Sequence, residues 1–152
     1  MARRTGRPVA RALAFWDARA LVALCVRQAI TPRAVTLYKN YEAVVWWTTS
    51  VEIAGALARL LRMKHLDPSG WIKARRLARR LADSWFVIQP SDALRTRAAQ
   101  LVDGYDLRAA DSFQLAAALQ WCEDMPQGRV FLTADQKLKE AALLTGFDVK
   151  QF

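Results

Sequence analysis

The sequence contains a single histidine, His65, and only two cysteines, Cys25 and Cys122. A zinc site built on imidazole and thiolate needs more of both, and a Ser-His-Asp triad needs a histidine set among apolar elements. His65 instead adjoins Lys64 in a charged stretch and reads as a surface residue. The cysteines lie within apolar helical patterns, so they read as buried free thiols of a reducing compartment, not as a disulfide. Long apolar runs are also missing. The longest uncharged stretch, residues 112–122, is too short to span a bilayer. No apolar signal core follows the basic start "MARRTGRPVARA". A soluble, cytoplasmic protein is therefore expected. Repeats, linkers and low-complexity segments are absent. The 152 residues suffice for one domain with a proper core, and six tryptophans argue against disorder. A basic arm over residues 1–11 and one folded domain over residues 12–152 are expected.

Acidic residues are the minority. Asp and Glu number 14 against 23 Lys and Arg, a net charge of +9. Such a balance suits a polyanion, nucleic acid above all, and suits an acidic protein partner equally. The densest run is "KARRLARR", with Lys73, Arg75, Arg76, Arg79 and Arg80. It reads either as the solvated face of an amphipathic helix or as a strip that binds an RNA backbone without regard to sequence. Arg95, Arg97 and Arg108 would extend the strip.

Short apolar runs alternate with helical patterns. "LAFW", "AVVWW", "SWFVIQP" and "RVFLT" read as strands, with "FDVKQF" as a short last one. "AVVWW", residues 43–47, has no polar alternation, the mark of a strand buried on both faces. Between the runs lie helices starting at Ala18, at Thr31-Pro32 and running to Glu42, after Thr48-Thr49-Ser50, and at Asp67-Pro68. Others are "SDALRTRAAQLVDG", closed by Gly104, "DLRAADSFQLAAALQWCE", and "ADQKLKEAALLTG", closed by Gly146. Strands alternating with helices of this length imply βαβ units: an α/β protein with a mostly parallel sheet and helices on both faces.

The scarce acids fall in telling places. In "LAFWDARALVAL" an apolar run ends on Asp17 and a helix follows. Asp17 reads as a helix N-cap, or as a group at the carboxyl end of a strand, where open α/β sheets bind ligands. Glu52 lies in the first turns after "AVVWW", and Asp135 two residues after "RVFLT". A parallel sheet brings all three to one edge. Asp111 precedes Leu115, Ala118 and Leu119 on one helical face, so it sits on a stripe that must point inward. A carboxylate there is costly unless it is paired or holds a cation. Four clustered carboxylates repel one another unless a positive charge sits among them. A hard divalent cation, Mg²⁺ or Mn²⁺, fits oxygen donors and would activate water against a phosphodiester.

In these four segments the sequence resembles the PIN-domain nucleases, and most closely the VapC-type toxins of bacterial toxin–antitoxin pairs, over about residues 12 to 150. "AFWDARALVAL" is similar to the family's opening strand and first metal-binding Asp. "VVWWTTSVEIAGALARL" is similar to its Glu segment, "LRAADSFQLAAAL" to its third-acid motif, and "VFLTADQKLKEAALLTGFDV" to its closing Thr-x-Asp block. The resemblance implies a three-layer α/β/α domain with a mostly parallel central sheet. It implies catalytic, metal-binding roles for Asp17, Glu52, Asp111 and Asp135, with Thr133 as a hydrogen-bonding neighbour. Mg²⁺ or Mn²⁺ is the implied cofactor, RNA the substrate, an antitoxin the partner and a homodimer the assembly.

One position departs from that pattern. The family usually has Ser or Thr two residues after its first Asp, and this chain has Arg19. Arg19 either turns outward to substrate phosphate or pairs with an acid of the site; the short first helical turn favours pairing. Gln114 stands where many relatives have His. The expected function is a metal-dependent endoribonuclease, the toxin of a toxin–antitoxin pair. The alternatives are a housekeeping RNA-processing nuclease and a catalytically silent domain that binds RNA or protein.

Overall fold

Strands β1 (Ala12–Trp16), β2 (Tyr41–Trp46), β3 (Phe86–Ile88), β4 (Val130–Leu132) and β5 (Asp148–Lys150) form the sheet of the computed structural model. The structure describes residues 10–150 and 152. Between the strands run α1 (Ala18–Cys25), α2 (Thr31–Asn40), α3 (Thr49–Arg62), α4 (Pro68–Ala82), α5 (Asp92–Gly104), α6 (Ala109–Trp121) and α7 (Gln136–Thr145). The sheet order is β3-β2-β1-β4-β5, and every neighbouring pair is parallel.

The three layers follow from the two-residue period of a strand. Phe15, Val44, Trp46 and Phe131 point to one face and pack with Leu94 and Ala98 of α5, Leu115 and Leu119 of α6, and Leu138 of α7. Their neighbours Ala14, Trp16, Ala43, Val45, Val130 and Leu132 point to the other face, against Leu21 of α1, Leu37 of α2, Ile53 and Leu57 of α3, and Ala74 of α4. Both faces of the central strands are thus dry, which is why "AVVWW" carries no polar alternation.

Several boundaries differ from expectation. The helix expected to reach Glu42 stops at Asn40, because Tyr41 and Glu42 pair with Ala12 and Leu13 of β1. Tertiary pairing overrides local propensity there. Thr31 does not cap α2; its hydroxyl donates to the Ala23 carbonyl at 2.7 Å and ties down the end of α1. Gly104 is still helical and α5 ends at Tyr105, whereas Gly146 does terminate α7, in the left-handed region at φ 110°. Trp47 lies beyond β2, whose last rung is Trp46 against Ile88, and it is 55% exposed. Trp71 and Trp121 are half-buried, each with a guanidinium over its ring: Arg75 at 5.9 Å and Arg129 at 5.5 Å. The expected basic arm lies outside the described residues up to position 9. Arg11 donates to the Tyr38 carbonyl at 2.8 Å. Among the described residues no helix is long and apolar enough to cross a membrane.

Candidate active site

The chain leaves β1 through β2 to β3 on one side, then returns to lay β4 and β5 on the other. The order therefore reverses at β1, and a crevice opens beyond the carboxyl ends of β1 and β4. Asp17 and Thr133 are the first residues past those ends. The Asp17 backbone N–H donates to the Leu132 carbonyl at 3.0 Å, which binds the two strand ends together.

Capping and site building turn out to be compatible. Asp17 caps α1 with one oxygen, Oδ1, which accepts from the Ala20 N–H at 2.8 Å. Its Oδ2 accepts from the Thr133 hydroxyl at 2.7 Å. Thr133 in turn accepts from the Asp135 N–H at 3.0 Å. Asp135 repeats the division: Oδ1 caps α7 through the Leu138 N–H at 2.8 Å, and Oδ2 pairs with the Arg19 guanidinium. Arg19 thus takes the pairing of its two open placements.

Glu52 sits in the first turn of α3. Its Oε1 accepts from the Thr48 hydroxyl at 2.8 Å, and its Oε2 from Gln114 Nε2 at 3.0 Å. Gln114 is 1% exposed on α6, one turn beyond Asp111, and its Oε1 has no partner among the described residues. Gln114 and Thr48 are the positioning groups that the sequence reading passed over. A signal existed: Gln114 interrupts the same apolar stripe that singled out Asp111, and a buried amide needs partners for the same reason a carboxylate does.

Burial and mutual repulsion act on the acids together. Burial pushes the Asp17 carboxyl up to about 7; the Thr133 and Ala20 hydrogen bonds and Arg19 oppose the rise, and Asp111 adds to it. Glu52 is raised chiefly by burial, against the Thr48 and Gln114 bonds, with Asp111 again adding. Asp111 is raised by burial and then by Asp135, with Arg19 and Arg108 opposing, and no hydrogen bond enters its balance. Arg19 is the countercharge common to all three and the ion-pair partner of Asp135. Among the described residues no three His, Cys, Asp or Glu groups stand close enough together to ring a metal ion. The positive charge among these acids is the Arg19 guanidinium.

The basic residues flank this edge from both layers. A cleft of about 300 Å³ between α3 and α4 is lined by Ser50 and Val51, from the turn that carries Glu52, and by Arg75 and Arg79. Lys73, Arg76 and Arg80 lie exposed along α4. Arg108 precedes α6 on the opposite layer, near enough to act on Asp111. Arg97 does not extend the strip: it pairs with Asp124 at 2.6 Å, past the far end of α6. The thiols take no part. Burial raises both, Cys25 to about 11, which keeps them protonated and poorly nucleophilic.

Neither a family model nor a curated protein matches this sequence. Solved structures do match its fold. The chain is similar to one in a toxin–antitoxin complex from Klebsiella pneumoniae, with a TM-score of 0.58 and 17% identity over 82% of this chain and 88% of that one. It is similar to FitAcB from Neisseria gonorrhoeae, with a TM-score of 0.58 and 18% identity over 90% and 97%. It is also similar to PAE2754 from Pyrobaculum aerophilum, with a TM-score of 0.60 and 21% identity over 91% and 89%. The chain shares the fold of these structures, a three-layer α/β/α domain with a parallel central sheet. In this arrangement Asp17, Asp135 and Thr133 come from the two central strand ends, and Glu52 and Asp111 from the helices that cover them on either side.

Proposed function

We propose that the protein is a metal-dependent endoribonuclease and the toxin of a bacterial toxin–antitoxin pair. The observation that carries this reading is the placement of the acids about the β1 and β4 strand ends, where burial raises Asp17, Glu52 and Asp111, Asp111 adds to the rise of the first two, and Asp135 adds to that of Asp111. Buried carboxylates that perturb one another beside a strand-end crevice mark a candidate functional site. Their donor set is oxygen alone, which fits Mg²⁺ or Mn²⁺. Asp17, Glu52 and Asp111 would hold the ion, with Asp135 beside them, once the acids draw closer than they stand here. The bound ion would supply an activated water and charge stabilisation on a phosphoryl oxygen. The chain's own residues do the positioning: Thr133 fixes Asp17, Thr48 and Gln114 fix Glu52, and Arg75, Arg79 and Arg108 hold RNA phosphates at the rim.

The test is incubation with tRNA, rRNA and mRNA substrates. Cleavage is expected with Mg²⁺ or Mn²⁺ and not in EDTA. Cleavage in EDTA, or none with either metal, would overturn the reading. A second reading, a silent domain that binds RNA or protein without cutting, is favoured by one observation, the Arg19 guanidinium among the acids. Arg19→Ser separates the two. It removes a half-exposed ion pair, worth little in water, and frees Asp135 for the cation. Mg²⁺ affinity is expected to rise by a few-fold, roughly the worth of an exposed pair. Unchanged or weaker Mg²⁺ binding by calorimetry would refute this competition.

The toxin role is supported by the fold shared with a chain of the Klebsiella pneumoniae toxin–antitoxin complex. A cleft of about 600 Å³ between α1 and α3, lined by Arg19, Ala56, Leu60, Met63 and His65, gives an antitoxin segment a partly apolar seat beside the acids. A homodimer belongs to the same proposal. Leu57 of α3 is fully buried in the protein's own core and takes no part. Apolar groups left in water near α3 and β3 include Val51 at 71%, Met63 at 50%, Phe86 at 53% and Val87 at 40% exposure. Light scattering at tens of micromolar should give twice the chain mass; a monomer would remove the dimer from the proposal.

A further inference from the structure

Trp47 is left unexplained by the fold. The last rung of β2 turns Trp46 into the core, where it stacks face to face on Phe113 at 5.6 Å between ring centres. The next residue, Trp47, stands 55% exposed. More than half of its indole gives nothing to the core and leaves a flat aromatic surface open to a partner. Trp47 instead lines a cleft of about 740 Å³ that also contains Trp46, Thr48, Glu52, Arg95 and Phe113. One wall of the cleft is therefore a carboxylate of the candidate active site, held by the residue that follows Trp47. A second wall is a fixed aromatic pair. The cleft volume lies within the range of small-ligand sites.

Charge narrows the choice of occupant. Arg95 is 74% exposed, and its pair with Asp92 at 3.0 Å is an i,i+3 contact in open solvent, 93% exposed on the acid side. Such a pair is weak and leaves the guanidinium free to turn. Arg108, at the N-cap of α6, directly precedes Ala109 and Ala110, which also line the cleft. An exposed indole, a mobile arginine and a net charge of +9 together suit an unpaired nucleotide: a flat aromatic base joined to a phosphate.

The geometry points to this cleft as a nucleotide subsite, in which one unpaired base next to the scissile phosphate stacks on Trp47 while Arg95 meets a neighbouring phosphate. This rests on the ribonuclease reading for the position of the scissile bond. Stacking explains tolerance of base identity, because every base has a π-face. It also excludes a base inside a duplex, whose faces are already covered by its stacked neighbours.

The test separates binding from cleavage. In EDTA, a fluorescent single-stranded hexaribonucleotide and an RNA duplex are titrated into the full-length protein and its Trp47→Ala, Trp47→Phe and Arg95→Ala variants. Melting curves serve as a check of folding. Trp47→Ala is expected to weaken single-strand binding by about 10- to 100-fold and to leave duplex binding unchanged. Trp47→Phe should keep most of the affinity, and Arg95→Ala should lower the salt slope by about one phosphate contact. Equal single-strand affinity in Trp47→Ala, or an equal loss on duplex, overturns the subsite. An unchanged salt slope in Arg95→Ala overturns the phosphate contact. If Trp47→Ala instead halves the mass in light scattering while RNA affinity holds, the indole belongs to a protein interface and the subsite is refuted. Single-strand binding through Trp47 by a protein that cuts nothing with Mg²⁺ would support the subsite and remove only the nuclease reading.

Discussion

Asp111→Asn is expected to reduce metal-supported RNA cleavage by about 10²–10⁴-fold, the usual worth of a positioned acid–base or charge group. It should do so without unfolding the protein. Asp17 and Asp135 each cap a helix, so replacing either with a residue that cannot cap disturbs α1 or α7 as well as the site. Glu52 anchors a hydrogen-bonded link from α3 to Gln114 of α6. Asp111 makes no such structural bond, and its balance holds only burial and charge. Burial and the Asp135 carboxylate both disfavour its ionised form. A neutral amide of the same shape removes that penalty, so the metal-free variant should melt at the parent's temperature or above it. Initial rates in Mg²⁺ together with thermal melts check both halves. Cleavage within about tenfold of the parent would remove Asp111 from the reaction.

The layers and the site's edge were legible because each rests on a short-range pattern. Uninterrupted apolar strands announce burial on both faces, and Asp17 and Asp135 announce strand ends because helices begin right after them. Asp111 was legible by contradiction, as a charge on the stripe with Leu115 and Leu119. What stayed hidden depends on partners distant in sequence. The end of β2 is fixed by where the three-residue β3 stops pairing, at Trp46 against Ile88, so nothing local told the core tryptophan from the exposed one beside it. The choice of Asp135 as the partner of Arg19 spans 116 positions and depends on β1 and β4 being neighbours. Gln114 was legible in principle. Its burial follows from the same helical stripe as that of Asp111, but an amide without charge gives a weaker warning than a carboxylate.

Asp17 should make the metal-free protein lose stability as pH rises from about 4 to about 7. Its folded carboxyl holds its proton up to about 7, against 3.8 for the free side chain. Between those values the native chain keeps a proton that the unfolded chain has released, so raising the pH favours unfolding. The contribution is fully present below the unfolded value and gone above the folded one. The difference of about three pKa units amounts to about 4 kcal/mol as an order of magnitude, and Asp17 is too deeply buried for solvent to screen it. Glu52 and Asp111 are shifted in the same direction and deepen the same slope. Asp17→Asn isolates the effect, because asparagine still caps α1 through its carbonyl but has no proton to lose. In EDTA, denaturant midpoints of parent and variant should agree below about pH 4 and separate progressively until about pH 8, with the variant the more stable. Parallel curves would show that Asp17 is ionised in the apo fold at neutral pH. Saturating Mg²⁺ should narrow the gap from the parent's side, since a cation that binds the ionised carboxylates stabilises only the protein that has them.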